Sequence, residues 1–135
     1  MMVTRYRNTD LDLISSAPLE DLTDELETAG MVLLGTHQDG QARWHAIFEI
    51  LSEEDAVYVN AEATIGAMLS IIDGLSDRCR QLWSSCDLRE FNVAYDVGVE
   101  PLAFNEGFSV ETLASMSELK VSFRVTLYPE RDDDT

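Results

Sequence analysis

The sequence predicts an α+β fold, and three observations carry that reading. Several short segments alternate apolar and polar residues with a period of two, others repeat with a helical period, and Gly, Pro, Asn and Ser punctuate the joins between them. At 135 residues the chain fits one domain, expected to occupy residues 1–129, and with 45% hydrophobic residues it can bury a core without disulfides or metals. Residues 130–135, "ERDDDT", read as a solvated acidic tail.

The first segment, "NTDLDLIS", places Leu11 and Leu13 on one side and Asp10 and Asp12 on the other, the pattern of a half-buried strand. "APLEDLTDELETAG" follows as a helix, with Pro18 near N1, Leu19, Leu22, Leu26 and Ala29 on one face, and a stop at Gly30. "MVLLGTH" and "ARWHAIFEI" flank Asp39-Gly40 as a hairpin. After a short extended piece in "DAVYV", Asn60 caps a helix whose apolar stripe is Ile65, Met68, Leu69 and Ile72, ending at Gly74. A second short helix starts at Ser76.

The segment "REFNVAYDVGV" is the clearest strand, with Phe91, Val93, Tyr95, Val97 and Val99 on one face. Beyond the loop "EPLAFNEG", Ser109 caps a further helix, and Phe108 at N′ is placed to staple against Leu113. The last strand, "KVSFRVTLYP", alternates Val121, Phe123, Val125 and Leu127 against polar neighbours and ends at Pro129. The resulting order is β-α-β-β-α-(α)-β-α-β. Its first six major elements match a ferredoxin-like βαββαβ core, with an appended helix and strand, a mostly antiparallel sheet and helices on one face.

Charge constrains partners. The chain has 26 acidic residues against 9 basic ones, a formal net charge of −17, and a single lysine, Lys120. Such a field repels phosphate backbones and excludes nucleic acid as a partner, while favouring fast encounter with a basic protein. The same excess also serves solubility, genome bias or life in high salt. The N-terminus "MMVTRYRNTDLDL" has no apolar h-region, and nowhere do about 18 apolar residues run together, so a cytoplasmic protein without a membrane span is expected. Cys79 and Cys86 match no zinc or redox spacing and read as buried packing residues.

Both histidines lie in the hairpin. A two-residue Asp39-Gly40 turn sets Leu34 opposite His45 and Ala42 opposite His37, which puts His37 on the core face with Trp44 and His45 on the other face. Imidazoles on opposite faces cannot share a metal. A longer loop would bring them together beside Arg43, yet with no Cys or third His to complete a zinc site. No metal, cofactor or catalytic residue is therefore expected. Asp10 and Asp12 form an i, i+2 carboxylate pair that reads as plain solvation.

From Leu82 onward, "LW", "REFNVAYDVG" and "FSVETLASMSELKVSFRVTLYP" resemble a bacterial family of small domains of unknown function, which close with a Ser-x-x-Thr-Leu helix start and a strand ending in Tyr-Pro. The resembling positions are caps and core residues, so the resemblance implies a fold and brings no catalytic residue.

The outer sheet face carries the expected interface. It mixes Ile14, Val32, Leu34, Ile47 and Tyr128 with Asp10, Asp12, Thr36, Arg43, His45, Glu49, Asn92, Arg124 and Thr126. The first functional reading is a non-enzymatic acidic protein-binding module, of inhibitor or immunity type. It would bind a basic protein or a second copy through Leu34, Arg43, His45, Ile47, Glu49, Arg124 and Tyr128. The alternative is a small-molecule-binding regulatory domain with a cleft near Trp44, Trp83 and Tyr95; a hydrolase without a readable motif is the third reading.

Overall fold

A computed structural model describes residues 2–50 and 59–129. The extended piece expected in "DAVYV" lies largely outside these residues, and the acidic tail lies wholly outside them. The elements run β1 (Arg5–Ser15), α1 (Glu20–Thr28), β2 (Met31–Gln38), β3 (Trp44–Ile50), α2 (Ala61–Asp73), α3 (Asp77–Ser84), β4 (Leu88–Val97), α4 (Val110–Glu118) and β5 (Ser122–Pro129). This is an α+β fold built on one mixed sheet, ordered β2-β3-β1-β4-β5. The β2–β3, β3–β1 and β1–β4 pairings are antiparallel, and β4–β5 is parallel. The parallel pair needs a crossover, which α4 supplies.

One face of the sheet carries the core. Leu11 and Leu13 of β1, Ala46 and Phe48 of β3, and Phe91 and Val93 of β4 are buried there. Side chains from all four helices join the same cluster, including Leu22 and Leu26 of α1, Ile65, Met68, Leu69 and Ile72 of α2, Cys79 and Trp83 of α3, and Met116 of α4. These are the stripes that a period of 3.6 picks out, apart from Ala29, which is exposed past the end of α1.

Three helix starts follow the capping rule. The side chains of Asn60, Ser76 and Ser109 accept from the backbone N–H of Ala63, Cys79 and Thr112. The start of α1 differs from the expectation. Its N-cap is Leu19, without a side-chain cap bond, so Pro18 precedes the cap instead of occupying N1. Phe108 also differs: its ring packs edge-on against Phe123 at 5.5 Å, and Leu113 stays exposed.

Polar anchors fix the connections. Arg89 donates from Nη1 to the carbonyls of Trp83 and Cys86 and from Nε to that of Lys120, so one guanidinium ties the ends of α3 and α4 to β4. Glu106 accepts from the N–H of Ala61 at 2.9 Å and from the Tyr95 hydroxyl at 3.1 Å, which pins the loop before α4 to the start of α2. The Tyr6 hydroxyl reaches Thr9 and Thr64, joining β1 to α2 inside the core.

Candidate functional site

The β2–β3 hairpin departs from the expected register. Its connection runs over Asp39–Arg43, with the Asp39 N–H donating to the Arg43 carbonyl and Ala42 at φ 61°. His37 therefore pairs with His45, and Gln38 with Trp44. The two imidazoles share one face and stack at 4.4 Å between centroids, which corrects the opposite-face placement. A bulge between Leu33 and Gly35 then returns Leu33 to the core side opposite Phe48. The physical reason is that a positive φ at Ala42 and one extra residue at Leu34 offset each other; Ala42 is not glycine, and Gly35 beside the bulge does not by itself fix the register.

Asp39 organises this turn. Its carboxylate accepts from the N–H groups of Gln41 and Arg43, from Arg43 Nε, and from His45 Nε2 at 2.8 Å. The hydrogen bond from His45, followed by that from the Arg43 backbone, holds the Asp39 carboxyl well below the usual carboxylate range. Among the described residues, no group of three or more His, Cys, Asp or Glu side chains is arranged to hold a metal ion.

On the outer face, Asp10, Asp12, Ile14, His45, Ile47 and Glu49 come from β1 and β3, and Glu90, Asn92, Arg124 and Thr126 from β4 and β5. Much of this polarity is already satisfied within the face. Arg124 donates to Glu90 and lies 3.5 Å from Asp12, and the Thr126 hydroxyl donates to Asn92 at 2.7 Å. Arg7 bonds Asp96 and stands over the Tyr128 ring at 4.7 Å. Asp10 has no such cation among the described residues. Burial, and then the charges of Asp12 and Glu49, push its carboxyl up to about 6.

Of the expected interface residues, His45, Ile47, Glu49 and Arg124 do share this face, with Tyr128 opposite Asp96 at its β5 end. Leu34 sits at the bulge and Arg43 in the turn. Thr36 pairs with Ala46 and so lies on the helix-bearing side, a correction that follows from the same register.

The helix-bearing side holds a feature that sequence reasoning missed. Phe123, Val125 and Leu127 pair with Phe91, Val93 and Tyr95 and share their face, yet are 45%, 50% and 62% exposed. The cause is topological: β5 is the edge strand, while α4 packs against α2. With Val99, Leu102 and Phe104 of the preceding loop, these side chains line a groove of about 790 Å³. Among the described residues, Glu106 is its one charged lining residue, and no Lys or Arg lines it. The sequence carries no local signal for it, because the alternation of β5 is that of a core strand.

The cleft expected near Trp44, Trp83 and Tyr95 is not a single feature. Tyr95 lines the β5 groove, Trp44 lines a separate cavity beside α1, and Trp83 is buried in the core with its indole N–H on the Leu119 carbonyl. Cys79 and Cys86 are free and buried, and burial pushes the Cys86 thiol up to about 11, which leaves it a poor nucleophile at neutral pH. No helix among the described residues is long and apolar enough to cross a membrane. Comparison with family models, with curated proteins and with solved structures finds no match to this chain.

Proposed function

We propose that this chain is a non-enzymatic, acidic protein-binding module of the cytoplasm, and that its partner is a basic protein laid along β5. The observation that carries this reading is the half-exposed row Phe123, Val125 and Leu127 on an edge strand. Exposed aromatic and aliphatic side chains in a groove are the usual core of a protein interface, and a free sheet edge can accept a further strand. Charge complementarity selects the occupant. A net charge of −17 opposes a second copy and attracts a basic segment, and among the described residues the groove has no cation of its own to repel one.

The outer face remains a second contact for the same partner, through His45, Ile47, Glu49, Arg124 and Tyr128. It is the weaker candidate, because Arg124 and His45 are already engaged by Glu90 and Asp39. The neighbour order β2-β3-β1-β4 also supports reading these four strands, with α1 and α2, as a ferredoxin-like unit to which α4 and β5 are appended.

Calorimetric titration with a synthetic peptide alternating Lys and Val, against its Glu-Val counterpart, tests the proposal. The Lys-Val peptide should bind, weaken as salt rises, and lose its site in a Val125→Lys, Leu127→Lys double variant. Equal behaviour of the two peptides, or binding unchanged in the double variant, would contradict it. A salt-strengthened dimer in sedimentation would assign the surface to a second copy instead.

A further inference from the structure

A second cavity, distinct from the β5 groove, lies between α1 and the β2–β3 hairpin, with a volume of about 380 Å³. Glu20, Thr23, Asp24 and Glu27 of α1 line it, at the i, i+3, i+4 and i+7 spacing of one helix face. Leu33 and Trp44 supply its apolar wall from the hairpin.

Two independent observations make this more than an acidic surface. Thr23 is only 7% exposed, and its hydroxyl has no hydrogen-bond partner among the described residues. The other buried hydroxyls are engaged: Thr9 with Tyr6, Thr64 with Tyr6 and Asn60, and Ser15 with the Ala17 N–H. A buried polar group left unmatched is costly, so an orphaned hydroxyl lining a cavity marks a place for a ligand donor. The carboxylates divide in the same way. On the α3 side of α1, Asp21 holds Arg78 and Glu25 holds Ser76, whereas Glu20, Asp24 and Glu27 have no ion-pair partner among the described residues. Glu27 also stands in the last turn of α1, where the helix dipole disfavours an anion and no basic residue compensates it.

We propose that this cavity binds an alkyl cation, an ammonium or guanidinium group on an apolar stem. The charge lies among Glu20, Asp24 and Glu27, an N–H donates to the Thr23 hydroxyl, and the stem packs on Leu33 and Trp44, whose indole face favours a cation. Such a group is carried by a free diamine and by the Lys or Arg side chain of a basic protein.

The test follows the indole N–H resonance of Trp44 by NMR during titration with cadaverine, agmatine and uncharged pentanediol. Both cations should shift the resonance to saturation, and pentanediol should leave it in place. Thr23→Val should weaken cadaverine by about fivefold, and an Asp24→Asn, Glu27→Gln double variant by about tenfold or more. Glu111→Gln, which removes a charge outside this cavity, should change nothing. Adding the Lys-Val peptide then separates the sources, since a Trp44 shift assigns the site to a basic side chain and its absence assigns it to a free amine. An unmoved Trp44 resonance with both cations, an equal response to pentanediol, or equal weakening by Glu111→Gln would overturn the site. Because Trp44 is remote from Phe123, Val125 and Leu127 in the lining of the two cavities, that failure would leave the β5 reading standing.

Discussion

His37 and His45 are direct cross-strand partners on β2 and β3, their rings stacked with planes 18° apart, and His45 Nε2 lies 2.8 Å from the Asp39 carboxylate. The pair is held from the turn, through Asp39, and not from the core. Asp39→Ala should therefore lower the urea midpoint and strip hydrogen-exchange protection from the hairpin, because it frees the Gln41 and Arg43 N–H groups together with two side chains. Asp39 has a depressed folded pKa, so its contribution is present above about pH 4 and lost as pH falls through the folded value. An unchanged midpoint at pH 7 would show that the turn does not depend on this carboxylate.

Asp10 acts with the opposite sign. Its carboxyl is raised to about 6 in the fold, against about 3.9 in an unfolded chain. The folded state binds more protons between these values, so stability falls as pH rises from about 4 to about 6 and is then level. Asp10→Asn should raise the stability at pH ~7.5 by on the order of 1 kcal/mol and give no gain at pH ~4. A gain of equal size at both pH values would mean that burial and charge at this position have another origin.

Two helix ends make a matched pair of predictions. Gly30 follows α1 at φ 120°, and Lys120 follows α4 at φ 57°, where its N–H and that of Val121 close on Ser117 and Met116. Gly30→Ala should destabilise by about 1–2 kcal/mol, and Lys120→Gly should stabilise by about 0.5–1 kcal/mol, since only glycine occupies this region without a steric penalty. Thermal unfolding of the two variants checks both signs.

The sequence made local features legible because local rules decide them. The stripe Ile65, Met68, Leu69 and Ile72, the caps Asn60, Ser76 and Ser109, and the alternation in β1 and β4 all appear where period and capping put them. The hairpin register was not legible, because Ala42 takes a positive φ without being glycine and Gly35, the one cue to the bulge at Leu34, does not say how the two shifts combine. The exposure of Phe123, Val125 and Leu127 was hidden for a different reason. Their alternation is that of a core strand, and only the long-range pairing order shows that β5 is an edge without a helix over it. Likewise, the unpaired acids of α1 differ from Asp21 and Glu25 only by what α3 brings near them.

Whether a basic partner lies along β5 is read from amide chemical shifts during titration with the Lys-Val peptide. Shifts and new exchange protection should concentrate at Phe123 to Leu127 and in the loop from Val99 to Phe108, and shrink as salt rises. Shifts confined to His45, Ile47 and Glu49 on the opposite face, or none at low salt, would contradict it.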